Sequence, residues 1–343
     1  PTGFKALNTQ NLPDPTIKKG NAYFDATTYT GTGAAGNVVV NSGGFQPDLV
    51  WAKGRSMNSN HNLVDSVRGS TKYLYSSLTD AEGTWTDKLT SFNSNGFTLG
   101  ADATGTGQMN TTNGGTYVAW QWKKGATPGF DIVTYAGTGS SLTVNHSLGV
   151  VPSMVIIKNR TLGTENWAVY HKSTGAAYWL LLSGTNAAIN NTTIWNNTTP
   201  TSSSISLGAL SNTNVAGSNF VGYFFAEVAG FSKFGSYTGN GSTDGPFIYC
   251  GFRPRYVLIK RTDSANWWLI WDSSRNTYNV QSNYLLAQDA TSENNSGGSP
   301  FDYMDALSNG FKLRSLGISV NASGGSYIFA AFAENPFKYS LAR

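Results

Sequence analysis

The sequence predicts an all-β protein built as three tandem antiparallel β-sandwich modules of the jelly-roll or concanavalin-like type. First, a Tyr-x-Gly-x-Gly motif begins at Tyr29, Tyr135 and Tyr237, at intervals of 106 (135 − 29) and 102 (237 − 135) residues. This period is far longer than the roughly 20–50 residues of a solenoid unit and matches one small domain. Second, each period contains about seven β-rich runs separated by Gly, Asn, Ser and Thr. Third, no stretch beyond about ten residues shows helical periodicity with caps.

Other landmarks keep the same register in each period. A proline precedes a largely apolar run that ends in lysine, which predicts a central strand covered on both faces, at 47–53, 152–158 and 254–260. Asn95-Gly96 and Asn309-Gly310 predict hairpin turns. An aromatic-rich strand closes each period, at 117–122, 220–225 and 327–332. The Tyr-x-Gly-x-Gly motif resembles a phosphate-binding loop, but no helix follows it. It therefore predicts only a tight turn after the first strand.

These landmarks define module 1 as residues 21–125, module 2 as 126–230 and module 3 as 231–343, after a linker or N-terminal arm at 1–20. Each module is long enough to bury a core of its own. Three modules in a row suggest a stiff rod, and such rods commonly assemble as homotrimers through aromatic and Thr/Asn-rich faces.

The composition excludes several classes of protein. Only 12% of the residues are charged, about half the usual quarter, whereas Gly (39), Trp (10), Tyr (17) and Phe (18) are plentiful. The net charge of +4 is scattered along the chain, so no nucleic-acid partner is predicted. No apolar run approaches the roughly 20 residues of a membrane span, so no membrane insertion is predicted. The single cysteine, Cys250, is interpreted as a buried structural thiol.

The acidic residues and histidines do not form a catalytic pattern. Sandwich-fold glycosidases need two carboxylates on one face, and no strand here carries alternating acids. Glu227 and Glu334 follow the closing strands of modules 2 and 3, where a surface or interface charge is the simpler interpretation. His61, His146 and His171 lack the spacing of metal ligands. Aspartates 244, 263 and 272 lie in or near loops, so a calcium site there is left open, although their spacing is not that of an EF-hand. We therefore predict no enzyme, no catalytic residues, no metal and no cofactor.

Aromatic residues beside amides and carboxylates are the candidates for glycan binding, because sugar C–H faces stack on rings while hydroxyls pair with Asn and Asp. The predicted ligand-binding residues are Trp85, Asp87, Trp179, Trp195, Asn196, Trp268 and Asp272. Packing is the competing interpretation. In a strand, Trp267 and Trp271 share one face while Trp268 and Asp272 share the other, and at least one face must be core. The recurrence of Asp65-Ser-Val-Arg68 as Asp272-Ser-Ser-Arg275 favours a structural ion pair over a recognition pair.

Several longer motifs lie at 4–13, 45–51, 65–69, 117–122, 234–241 and 331–337, so together they cover essentially the whole chain. These motifs resemble sequences of repeat-containing virion proteins from marine bacteriophages, including proteins described as tail fibres. In several such proteins an SPRY-like, concanavalin-type β-sandwich precedes the segment that resembles residues 4–13. The resemblance therefore implies that such a domain stands upstream, and it implies a location on the virion surface. It supplies no catalytic residues to carry over.

The repeat, the missing catalytic pattern and the resemblance together predict a non-enzymatic phage virion protein. The leading hypothesis is a tail fibre or similar surface appendage that contributes to host recognition, with itself, other virion proteins and a host-surface glycan as partners. The first alternative is a capsid or tail decoration protein with a purely structural role. The second is a polysaccharide depolymerase, which requires an acid pair assembled across modules.

Overall fold

The protein, seen here in a computed structural model, is described over residues 15–103, 108–111, 113–295 and 303–334. Most of the predicted N-terminal arm, residues 1–14, and the end of the last resembling motif, 335–337, lie outside this range. The described residues form an all-β fold, as predicted, in which only a 3-10 turn (Gly20–Ala22) and two one-turn helices interrupt the strands. Neither of these helices has the length or hydropathy of a membrane span.

Each module contributes a six-stranded antiparallel sheet and a smaller second sheet. Module 1 contains β1 (Phe24–Thr30), β2 (Asn37–Val40), β3 (Leu49–Gly54), β4 (Asn62–Asp65), β5 (Lys72–Tyr75), β6 (Gly83–Thr84), β7 (Leu89–Asn93), β8 (Gly96–Leu99) and β9 (Thr116–Trp122). Module 2 contains β10 (Phe130–Ala136), β11 (Leu142–Asn145), β12 (Met154–Asn159), β13 (Ala168–His171), β14 (Tyr178–Leu181), β15 (Ile189–Asn190), β16 (Ser204–Leu207), α1 (Ser211–Asn214) and β17 (Asn219–Phe225). Module 3 contains β18 (Ser232–Thr238), β19 (Phe247–Tyr249), β20 (Pro254–Arg261), β21 (Trp268–Asp272), β22 (Asn283–Leu286), β23 (Asn294–Asn295), β24 (Met304–Leu307), β25 (Gly310–Leu313), α2 (Ile318–Asn321) and β26 (Ser326–Ala333).

The three large sheets share one strand order, which is β1-β9-β3-β4-β5-β6 in module 1, β10-β17-β12-β13-β14-β15 in module 2 and β18-β26-β20-β21-β22-β23 in module 3. The closing strand of each module lies between the first strand and the central strand. The predicted hairpins at Asn95-Gly96 and Asn309-Gly310 are confirmed as the β7–β8 and β24–β25 turns. The sequence repeat is thus a repeat of topology, while the exact module boundaries remain predictions.

The central strands are buried on both faces because each face packs into a different core. In β3, Val50 and Ala52 point into the core of module 1, whereas Leu49 and Trp51 point into a second core. That second core is shared, since it also contains Met154 of module 2 and many apolar residues of module 3. The prediction of a strand covered on both faces is confirmed, and the partner on one face is the other two modules.

The shared core shows that the modules are not strung out as a rod, so that expectation is wrong. Their large sheets contribute apolar side chains to one common core. A cavity of about 20 Å³ remains where the modules meet, lined mainly by apolar side chains such as Leu49, Met154 and Leu258. One water needs roughly 10–15 Å³ and several polar partners, so this apolar space is close to fully packed and has no room for a ligand.

The Tyr-x-Gly-x-Gly motif has a structural role, and the contacts it makes are called the latch below. The Tyr29 ring stacks on Tyr117 at 5.2 Å, and its hydroxyl donates to the Met109 carbonyl at 2.9 Å. Tyr135 and Tyr237 donate in the same way to the carbonyls of Thr213 and Val320. These contacts tie the first strand of each module to the segment before its closing strand. The motif runs from the first strand into the connection to the second sheet, which covers residues 31–36, 137–141 and 239–246, so it is longer than the predicted tight turn.

An asparagine completes the latch and recurs as Asn110, Asn214 and Asn321. Each side-chain oxygen accepts a hydrogen bond from the backbone N–H of the residue after the first glycine, at 2.7–2.9 Å. The first glycine is needed because a Cβ on Gly137 would lie 2.2 Å from the Val215 carbonyl oxygen. This asparagine repeats at the module period, so the sequence carried a signal for it that our sequence analysis missed.

Candidate functional site

The junctions between modules hold one set of equivalent contacts. Trp167 of module 2 donates its Nε1 hydrogen to the Tyr75 carbonyl of module 1 at 2.9 Å. Trp268 of module 3 donates to the Leu181 carbonyl of module 2 at 2.7 Å. His61 occupies the equivalent place in module 1, facing module 3. Burial and the nearby Lys53 charge hold its pKa well below the usual value, and the Leu286 backbone only partly offsets them. The modules therefore form a closed ring.

The lysine that ends each central strand crosses the same junction. Lys53 Nζ donates to the Ala290 carbonyl of module 3 at 3.1 Å, and Lys260 Nζ donates to the Thr185 carbonyl of module 2 at 3.0 Å. Lys158 Nζ reaches the Thr79 carbonyl of module 1 at 2.8 Å. Burial lowers the pKa of Lys53 to about 7, of Lys158 to about 8 and of Lys260 to about 7. These lysines join neighbouring modules through hydrogen bonds, and their charge is sensitive to pH near neutrality.

Two of the three junctions also hold a buried ion pair. Asp65 and Arg68 of module 1 pair with each other, and the Tyr223 hydroxyl of module 2 donates to Asp65 Oδ2 at 2.8 Å. Asp272 and Arg275 of module 3 form the same pair at 2.6 Å. There the tryptophan at the position of Tyr223, Trp120 of module 1, donates its Nε1 hydrogen to Asp272 at 2.9 Å. The predicted structural role of the Asp-x-x-Arg repeat is confirmed.

The rim of these two junctions carries a second, partly buried pair. Glu82 of module 1 accepts two hydrogen bonds from Arg160 of module 2, each at 2.8 Å. Burial tends to raise the Glu82 pKa, but the bonds from Arg160 and the Arg68 charge lower it overall. Glu293 pairs in the same way with Arg55 across the junction of modules 3 and 1. These carboxylates are held by guanidinium groups, which leaves them poor candidates for a general acid or base.

The junction between modules 2 and 3 lacks these charged pairs. His171 stands where the other modules have aspartate, and its Nε2 lies 3.3 Å from the Phe329 carbonyl oxygen. Burial lowers the His171 pKa to about 4, so the ring is neutral at pH 7. Ala188 and Thr262 replace the Glu–Arg pair, although the backbone bond between them is kept at 2.8 Å. The ring is therefore closed by three related but chemically different junctions.

The structure corrects most of the predicted ligand-binding residues. Trp268 and Asp272 are 1% exposed and belong to the junctions just described, so their side chains are not offered to a ligand. Trp195 is fully buried in module 2 and donates its Nε1 hydrogen to the Tyr178 carbonyl at 2.9 Å. Trp179 is 8% exposed and packs in the same core.

The remaining three predicted residues keep some accessibility. Asn196 is exposed in a left-handed backbone conformation, and its amide donates to the hydroxyls of Ser141 and Ser206 at 3.3 Å. Trp85 is half-buried, with the Lys88 ammonium 4.9 Å above its ring. Asp87 is also half-buried and accepts a hydrogen bond from the Ala103 amide at 3.0 Å. The structure does not bring these residues together into one site.

Trp267 is the most exposed tryptophan of the chain, at 43%. It precedes β21 in the loop of the β20–β21 hairpin, one residue before the buried Trp268. Trp267 lies outside the strand, whereas Trp268 is the first residue of β21, which is buried on both faces. Near the other end of that loop, Arg261 and Asp263 pair at 2.9 Å. Trp267 is not among the predicted ligand-binding residues, because side-chain alternation does not show where the strand begins.

A second accessible surface is a cleft of about 660 Å³ in module 3. Its polar and apolar lining is provided by Arg253, Thr277, Tyr278, Asn279, Ala306, Leu307, Ser308, Asn309 and Glu334. The volume is within the roughly 300–1,000 Å³ typical of small-ligand sites. Tyr278 is 83% exposed, so its ring is open to solvent. This cleft, which we call the module 3 cleft, is the candidate functional site.

The reactive residues outside these surfaces have structural partners or are buried. Burial raises the pKa of Cys250 to about 12, which confirms the predicted buried thiol. Glu227 forms ion pairs of 2.7 Å with Lys172 and Lys233 near the surface, as its predicted role requires. Within the described part of the chain, no three His, Cys, Asp or Glu side chains cluster as metal ligands would.

Comparison with known proteins gives one match. A family described as a domain of unknown function (DUF7483) matches residues 19–336. The chain belongs to this family. One family model spans all three modules, as expected if the ring is the unit that is inherited. No curated protein and no solved structure matches the chain.

Proposed function

We propose that this member of the DUF7483 family is a non-enzymatic phage virion protein, in a tail fibre or similar surface appendage, that contributes to host recognition by binding a cell-surface glycan. The phage assignment rests on the sequence resemblance. The glycan assignment rests on the chemistry of the accessible surface. The observation that carries it is the module 3 cleft, where an exposed tyrosine stands beside amide, hydroxyl and guanidinium groups.

The distribution of charge supports a scaffold with a binding surface. Five side chains that form ion pairs or hydrogen bonds at the junctions have no solvent exposure: Asp65, Arg68, Lys53, Lys158 and Lys260. A chain with only 12% charged residues that buries so many of them leaves a surface rich in hydroxyl and amide groups. Such a surface hydrogen-bonds to sugar hydroxyls without strong electrostatic selection.

The partners we propose are a host-surface glycan, other virion proteins and further copies of the chain as a homotrimer. The ring already unites three modules in one chain, so a homotrimer would use outer surfaces rather than the shared core. Size-exclusion chromatography with light scattering measures this directly. A trimer supports the assembly proposal, and a monomer at micromolar concentration contradicts it.

A glycan array of bacterial surface polysaccharides tests the recognition function. We expect the full chain to bind a limited set of these glycans reversibly and without releasing reducing ends. Failure to bind any polysaccharide from the bacterial host would contradict recognition and favour a decoration protein. Release of reducing ends on incubation with a bound polysaccharide would contradict the non-enzymatic proposal and favour a depolymerase.

A further inference from the structure

One connecting loop is longer in module 3 than in the other modules. The connection from β4 to β5 covers residues 66–71, and that from β13 to β14 covers 172–177. The equivalent connection from β21 to β22 covers 273–282, which is ten residues (282 − 272) instead of six (71 − 65). Tyr278 and Asn279 lie in this longer loop and form one wall of the module 3 cleft. An insertion on an otherwise repeated frame is a common position for binding residues.

The inserted loop is held in place by the strand opposite. Gln281 and Met304 exchange two backbone hydrogen bonds, of 2.8 and 3.2 Å. The Asn279 side chain accepts from the Ala306 amide at 2.9 Å and donates to the Ala306 carbonyl at 3.0 Å. The loop is therefore ordered before any ligand arrives. Preorganisation reduces the entropy lost on binding.

The other side of the cleft offers polar groups of both kinds. Ser308 and Asn309 form the turn of the β24–β25 hairpin, and the Asn309 carbonyl accepts the amide hydrogens of Cys250 and Gly251. Arg253 and Glu334 form an ion pair, and the Glu334 amide donates to the Arg253 carbonyl at 2.9 Å. The guanidinium is compensated by its carboxylate, so the cleft presents donors and acceptors without an unpaired charge.

We propose that the module 3 cleft binds an uncharged oligosaccharide, with a pyranose ring stacked on Tyr278 and its hydroxyls bonded to Asn309, Ser308 and the Arg253–Glu334 pair. This inference rests on the proposed recognition function and specifies its site. A sugar fits because it pairs apolar C–H faces with closely spaced hydroxyls, which matches an exposed ring beside mixed polar groups. An acidic glycan fits less well, because Glu334 would repel it and Arg253 is already paired.

Trp267 is the competing location, since its exposed ring beside the Arg261–Asp263 pair has similar chemistry. Trp267 lies on a hairpin loop and does not line the module 3 cleft. A ligand there would meet a single exposed ring, whereas the module 3 cleft is lined by the Tyr278 loop, the β24–β25 turn and the Arg253–Glu334 pair. Enclosure buries more of the ligand surface, which favours the cleft.

The test uses the full chain and an oligosaccharide prepared from the polysaccharide that the wild type binds on the array. We compare Tyr278→Ala, Asn309→Ala, Trp267→Ala and Tyr178→Ala by isothermal titration calorimetry. Tyr178 is an exposed tyrosine of module 2 and serves as the matched control. We expect about tenfold or greater loss of affinity, ~1.4 kcal/mol, for Tyr278→Ala and Asn309→Ala. We expect wild-type affinity for the other two variants and unchanged melting temperatures for all four.

The possible results distinguish an error in the proposed site from an error in the proposed function. Wild-type binding that Trp267→Ala abolishes and Tyr278→Ala leaves intact would overturn the cleft while keeping the recognition function. Preferential binding of acidic oligosaccharides, or of peptides, would overturn the ligand class. A wild type that binds no glycan from the host contradicts the proposed function and this inference together.

Discussion

The ring should unfold as one unit, and Phe332 is the residue that tests this most directly. Its side chain is 4% exposed and packs against aromatic rings from all three modules. Centroid distances of 5.1–6.1 Å separate it from Phe24, Trp122, Phe225, Phe231, Phe234 and Tyr256. The substitution Phe332→Ala removes one ring from the centre of this cluster.

The expected cost follows from the buried area. A buried phenylalanine removes about 150–250 Å² from water, and about 25 cal/mol per Å² gives an upper estimate of about 4–6 kcal/mol. Large-to-small substitutions of this kind typically cost about 3–5 kcal/mol, including the cavity left behind. We therefore expect Phe332→Ala to lower the free energy of unfolding by about 4 kcal/mol.

Guanidinium denaturation followed by tryptophan fluorescence measures the change, with Tyr278→Ala as an exposed aromatic control. We expect one transition with a lower midpoint and an unchanged slope. Native-state hydrogen exchange should show lower protection in β3 and β12 as well as in β26, although residue 332 lies only in β26. Separate transitions, of which Phe332→Ala shifts only one, would refute the shared-core reasoning.

Three further predictions concern the junctions and one turn. Tyr223→Phe removes the hydroxyl that donates to buried Asp65, so the free energy of unfolding in chemical denaturation should fall by about 1–3 kcal/mol. An unchanged free energy of unfolding would show that water replaces the lost hydroxyl. The junction lysines at 53, 158 and 260 have pKa values of about 7 to 8, so between pH 7 and 9 the unfolded chain binds more protons and stability should rise with pH. Lys260→Met should flatten this rise by up to about 1.4 kcal/mol per pH unit, measured as unfolding free energy against pH, and an unchanged slope would contradict the assignment. Gly96→Ala places a Cβ 2.0 Å from the Val39 carbonyl oxygen at a φ of 150°, so melting temperature should fall; an unchanged value would show that the β7–β8 turn relaxes.

The strands and turns of this protein follow from its sequence because local chemistry specifies them. Apolar runs after proline, Asn-Gly pairs and a motif repeated three times are short-range signals, and the structure confirms the elements they predict. The Asp-x-x-Arg pairs were also predictable, since residues three apart in a tight turn can meet whatever surrounds them. The all-β class required only these local observations.

The arrangement of the modules was decided by tertiary structure alone. Alternation shows that β3 has two apolar faces, but both faces look the same in sequence, whether the second packs on a neighbouring module or on a partner chain. The contact of Tyr223 with Asp65 joins residues far apart in the chain, so no local pattern indicates it.

The candidate site shows the same division. Trp267 and Trp268 are adjacent and chemically identical, and only the packing of module 3 on module 2 determines that the second is buried. The longer loop bearing Tyr278 is visible in the sequence once the modules are aligned. Its function as a cleft wall is not, because the wall exists only where that loop pairs with β24. The sequence by itself determines the repeated frame, whereas long-range packing determines which of its aromatic side chains reach solvent.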